Sequence, residues 1–159
     1  MMAAADINFD SWQKDALRVG VTLYSRVPDN RRPEWAASIL TTCCARVSVV
    51  PKPITDVIEL ASEPAKWQLA HSAFSAVREL TLAADSRLIK NSTNRLLYVA
   101  ENAAKVIYNA SRSSAPFDRD SGAWLVRCAK EFADSIDDVS FTALLWTVVT
   151  LIPRDQLMA

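Results

Sequence analysis

The residues of this chain best equipped for chemistry lie between positions 98 and 120. Tyr98, Glu101, Asn102, Tyr108 and Asn109 fall on a helix expected over 93–111, and Asp118, Arg119 and Asp120 fall in the turn expected over 112–122. At about 100° per residue, Leu96, Leu97, Val99, Ala100, Ala103, Ala104, Val106, Ile107 and Ala110 form an apolar half. Asn94, Tyr98, Glu101, Lys105, Tyr108 and Arg112 form the opposite half. Arg95, Asn102 and Asn109 repeat every seven residues along one border. Amides on such a border are drawn partly into the interior and need hydrogen-bond partners. They either bind a neighbouring helix or turn, or they line a polar cleft with Asp118 and Asp120 near its mouth. Glu101 and Lys105 have the spacing of a surface i,i+4 ion pair. A carboxylate pair for acid–base work would have to come from Glu101, Asp118, Asp120, Asp134, Asp137 or Asp138, and spacing alone brings no two of them together.

Other chemistry finds less support. His71 is the one histidine, with no local serine or cysteine signature around it. It is expected at or near the surface against Trp67. Cys43, Cys44 and Cys128 lack the further ligands of a zinc site. Cys43 and Cys128 fall on apolar stripes, where a thiol behaves as a small hydrophobe. Asp118-Arg119-Asp120-Ser121-Gly122 resembles the opening of an EF-hand calcium loop, but Gly122 stands where a third Asp or Asn belongs and Lys130 falls near the closing position, where Glu is required. Capping of the next helix by Asp120 or Ser121 accounts for those residues. No metal site and no cofactor pattern is expected.

The elements that must position these residues read as helices. The chain has only two glycines, Gly20 and Gly122, too few and too far apart for phosphate-cradling loops or turn-rich β structure. Half of its 159 residues are hydrophobic, which suits one globular domain over 1–159, with 1–8 and 154–159 as tails. Trp12, Ala16, Val19, Leu23 and Val27 mark a first helix from Asp10 to Pro28, with Gln13 completing a capping box. A second helix starts near Pro33. A short one, capped by Thr55 and Asp56, runs to about Ala61, and a longer one runs from Pro64 to about Ala84. The central helix follows, then one with Leu125, Cys128, Phe132 and Ile136 inward, and a last one after Asp137-Asp138 that Pro153 terminates. The expectation is all-α: a single compact bundle of six to seven helices with mostly antiparallel neighbours.

Val139–Ile152 is the most apolar segment. At fourteen residues it is shorter than the roughly 20 needed to cross a bilayer, so it reads as a buried core helix and no membrane span is expected. Trp12, Trp67 and Trp124 lie on apolar stripes and read as core, with Trp35 and Trp146 unassigned. Arg26, Arg31 and Arg32 make a small basic patch around one turn. Eighteen basic and eighteen acidic residues cancel, which disfavours nucleic acid as a partner. Three cysteines that cannot all pair, and no signal-like start, suggest a reducing, cytoplasmic setting.

No nucleophile–base set stands out, so the expected function is non-enzymatic. The chain would act through protein–protein binding, as a regulatory, inhibitory or immunity-type partner or as a homo-oligomer. The alternative is a small-molecule-binding protein or enzyme with a polar cleft between helix 93–111 and turn 112–122. The first reading takes Tyr98, Glu101, Tyr108, Asp118, Arg119 and Asp120 as the contact surface; the second takes a pocket containing Glu101, Asn102 or Asn109 and at least two convergent carboxylates.

Overall fold

The computed structural model describes residues 7–86 and 92–153. Eight α-helices fill them: α1 (Phe9–Lys14), α2 (Ala16–Arg26), α3 (Arg32–Cys44), α4 (Lys52–Ala61), α5 (Ala70–Ser86), α6 (Ser92–Ala110), α7 (Ser121–Ile136) and α8 (Val139–Thr150). Short 3-10 turns at Asp29–Arg31 and Pro64–Leu69 link α2 to α3 and α4 to α5. The described residues contain no strand, so the all-α expectation holds. The expected tail 154–159, most of the tail 1–8 and the connection 87–91 lie outside the described residues. None of the described helices is long and apolar enough to cross a membrane.

The count exceeds six to seven because the expected first helix is two. Asp15 leaves helical geometry at φ −150° and its carboxylate accepts from the Arg18 N–H at 3.2 Å, so it ends α1 and caps α2. The capping box also sits earlier than expected. Asn8, not Asp10, is the cap, exchanging bonds of 2.9 Å with the backbone and hydroxyl of Ser11. Helix α4 likewise starts before Thr55, at Lys52, because Pro51 and Pro53 suit a helix entry.

Helix α6 is the hub, packing against α3, α4, α5 and α7. Its apolar half is buried as expected from Leu96 to Ile107. Ala100, Ala103 and Ala104 keep that face thin, which lets several helices approach at once. Leu96 and Ile107 each contribute about 1.5–3 kcal/mol by burial.

Both glycines serve one helix crossing. A Cβ on Gly20 of α2 would stand 2.7 Å from the Ala123 carbonyl oxygen of α7. A Cβ on Gly122 would fall inside the ring of Tyr24. That ring cannot retreat easily, because it stacks on Trp35 at 5.8 Å and lies under the Arg32 guanidinium at 4.1 Å. Two turns are made without glycine: Arg112 (φ 60°) after α6 and Asp137 (φ 55°) after α7 adopt the left-handed conformation.

Two tryptophans close helix ends. The Trp35 indole donates to the Val149 carbonyl at 2.9 Å and that of Trp67 to the Ala61 carbonyl at 3.1 Å, satisfying orphan acceptors of α8 and α4. Trp12 and Trp35 are buried, and Trp12 stacks on Trp146 at 5.3 Å. Trp124 departs from the core expectation: it is 39% exposed. Two of the three arginines of the basic patch are paired locally, Arg31 with Glu34 and Arg32 with Asp29.

Helix α8 corrects a second expectation. Phe141, Leu145 and Val149 are buried, but Val139, Leu144 and Leu151 are 85%, 54% and 72% exposed. It packs on α3 and α7, with Trp12 of α1 against its Trp146, so an apolar composition that suits burial all round is met by burial of one face.

Candidate functional site

On the flank of α7 away from α2, the helices part to leave a cleft of about 390 Å³. Arg78 of α5 borders it, as do Tyr98, Glu101, Asn102 and Lys105 of α6, Asp118 of the turn, and Ser121, Trp124, Arg127, Cys128 and Glu131 of α7. The lining carries three cations and three carboxylates, Arg78, Lys105 and Arg127 against Glu101, Asp118 and Glu131.

Most of this charge is already engaged. Glu101 is only 4% exposed, contrary to a surface pair with Lys105. Helix α5 covers it: Thr81 donates its hydroxyl to one carboxylate oxygen at 2.7 Å, and Arg78 donates to the other at 3.2 Å. A buried carboxylate needs this combination of hydrogen bond and counter-charge. Glu131 lies between Arg127 at 3.2 Å and Arg95 at 3.5 Å. Asp118 accepts from the Asp120 backbone N–H at 2.9 Å. Lys105 has no ion pair among the described residues; its ammonium sits 5.2 Å from the Phe74 ring and 5.8 Å from that of Phe117.

The border amides are structural as well as site-forming. Asn109 clamps the turn, accepting from the Phe117 N–H at 2.7 Å and donating to the Phe117 and Asp118 carbonyls at 3.2 Å. Asn102 donates to the Tyr98 carbonyl at 3.0 Å and reaches the Cys128 sulfur at 3.5 Å. The clamp holds Phe117 in an aromatic cluster. His71 stacks on Phe117 at 5.2 Å, with Tyr108 edge-on to both and Phe74 edge-on to Phe117. His71 is exposed, as expected, but its ring partners are Phe117 and Tyr108, not Trp67.

The expected surface therefore divides. Tyr98, Glu101, Asn102 and Asp118 line the cleft. Tyr108 belongs to the aromatic cluster, donating to the Ser113 hydroxyl at 2.7 Å, and Asn109 holds the turn. Arg119 and Asp120 are exposed on the turn beside the cleft. Asp120 occupies the cap position of α7, yet its side chain caps nothing; Asp118 and Ser121 tighten the turn instead, Ser121 donating to the Asp118 carbonyl at 2.6 Å.

Sequence reasoning missed Trp124, Arg127 and Glu131. A signal existed: at i, i+3 and i+7 the three share a face of α7 that excludes Leu125 and Phe132. The Arg127 guanidinium lies 5.1 Å from the Trp124 ring, which gives the exposed indole a charged border.

The cysteines do not favour nucleophilic chemistry. Burial pushes the Cys128 thiol up to about 12, with Glu131 and Glu101 adding to the effect, and the Cys44 thiol up to about 11. Burial raises Cys43 further. No group of three or more His, Cys, Asp or Glu among the described residues could hold a metal ion.

A second, larger groove of about 710 Å³ lies between α3, α4 and the end of α8, lined by Ala37, Ile58, Ala61, Trp67, Val148 and Leu151 among others. No protein-family model, no curated protein and no solved structure matches this chain.

Proposed function

We propose that this protein works by binding another protein, with the α6–α7 cleft and the adjoining turn as its contact surface and Trp124 as the anchor. The observation that carries the reading is the exposure of Trp124 within a rim of charged side chains. An aromatic anchor with a polar border has the composition of an interface hot spot. Tyr98 and Asp118 extend the surface across the cleft, and Arg119 and Asp120 extend it along the turn. The engaged carboxylates and the thiols that burial keeps protonated support a non-catalytic role, of regulatory, inhibitory or immunity type. The cancelled charge disfavours nucleic acid, and a reducing, cytoplasmic setting suits three free cysteines.

The test is affinity capture from the native cell with wild-type protein and Trp124→Ala side by side. A protein retained stoichiometrically by the wild type should bind Trp124→Ala about 30-fold or more weakly, the loss typical of a hot spot. Equal retention by both would remove Trp124 from the interface. A small-molecule ligand in the same cleft is the second reading, favoured by the Lys105 ammonium, which has no ion pair among the described residues, and by a volume within the range of about 300–1,000 Å³ of ligand sites. Native mass spectrometry of the freshly isolated protein separates the two, since a bound molecule adds discrete mass.

A further inference from the structure

Helix α8 stands apart from the other described helices, for it alone contains no Asp, Glu, Lys or Arg. Its exposed residues Ser140, Ala143, Leu144 and Thr147, continued by Leu151 just past its end, recur at steps of three and four and give one stripe along the helix. The polar atoms beneath it are occupied. Thr142, Thr147 and Thr150 donate their hydroxyls to the carbonyls four residues back, at 3.0–3.1 Å, so the threonines ask little of water. A helix apolar on all sides is ordinarily covered on all sides, and α8 is covered on one.

We propose that the open face of α8 is a self-association surface, on which two copies of the chain pack α8 against α8, antiparallel, across a two-fold axis. The choice of occupant follows from charge. A two-fold axis sets a patch against itself, so the uncharged stripe of α8 meets a second uncharged stripe and leaves no charge to be matched. A charged partner face would bury its charges where α8 has no counter-charge to give. Antiparallel packing also sets the helix dipoles head to tail. Ala143 and Thr147, both small, sit in the middle of the stripe where the axes would cross. A 12-residue helix is about 18 Å long, less than the roughly 800 Å² per copy of a standard interface requires, so the dimer is of modest affinity. The cleft plays no part in this proposal.

Sedimentation velocity on the full chain from about 5 to about 500 µM, a range that spans modest affinities, provides the test. The wild type is expected to move from 17.6 kDa toward twice that mass. Leu144→Glu and Leu144→Lys change an exposed position, so circular dichroism should show both folded while each stays monomeric throughout. An equimolar mixture of the two should regain association, because the two-fold places the opposed charges near each other. A wild type that remains monomeric, whatever else adheres to the face, overturns the proposal. So does a Glu variant that associates like the wild type, or a mixture that fails to re-associate.

Discussion

The two flanks of α7 are packed in opposite ways. Toward α2 there is no room for a methyl group: Gly20 meets the Ala123 backbone and Gly122 meets the Tyr24 ring. Toward α6 the same helix stands back far enough to leave the cleft, and Trp124, Arg127 and Glu131 face it. The tight flank fixes the helix so that the loose one can hold a shape. Packing tolerance and functional potential lie on opposite sides of one helix, about 100–200° apart around its axis.

Substitutions can break this contrast in order of size. Gly20→Val and Gly122→Val should have the largest effect, costing about 3 kcal/mol or more, since overpacking here meets backbone or a pinned ring. Urea unfolding followed by circular dichroism would show the lowered midpoint, and a loss below about 1 kcal/mol would mean that α2 and α7 separate freely. Next comes Asn109→Ala, which strands the Phe117 N–H and releases the turn, at about 2 kcal/mol. The His71 ring proton signals should shift with it, as stacking on Phe117 is lost. Arg78→Met leaves Glu101 with Thr81 alone and should cost about 1 kcal/mol, discounted for the half-exposed guanidinium; combined with Glu101→Gln in a double-mutant cycle, the two losses should be less than additive. Trp124→Ala should change stability least, by about 0.5 kcal/mol or less, while weakening the proposed partner binding about 30-fold or more. A large loss of stability there would make Trp124 a packing residue and weaken the contrast.

Much of the frame was legible from periodicity. The central helix, the apolar half of α6 and the all-helical character of the described residues follow from patterns within one segment. What escaped depended on a second segment. Glu101 looks like a surface residue on its own helix and is buried only because α5, some twenty residues earlier, lays Arg78 and Thr81 over it. Trp124 read as core because an aromatic on an apolar helix usually is, although its i+3 and i+7 neighbours pointed outward. Asp15 broke a continuous stripe because an Asp can end one helix and cap the next. Asn109 was legible as a residue in need of partners, and the turn it holds was one of the two uses its position allowed. The apolar composition of α8 argued for burial, and among the described residues one of its faces stays exposed.

The glycines have a last consequence for how this protein tolerates change. In most chains a survey of all single substitutions finds glycine irreplaceable in turns and dispensable in helices. Here the pattern is inverted. Gly20 and Gly122 lie within helices where an added Cβ would clash, whereas the left-handed corners are held by Arg112 and Asp137, where glycine would be welcome. A tolerance map of the chain should therefore show its two glycines as isolated intolerant points at one crossing, and its corners as open ground.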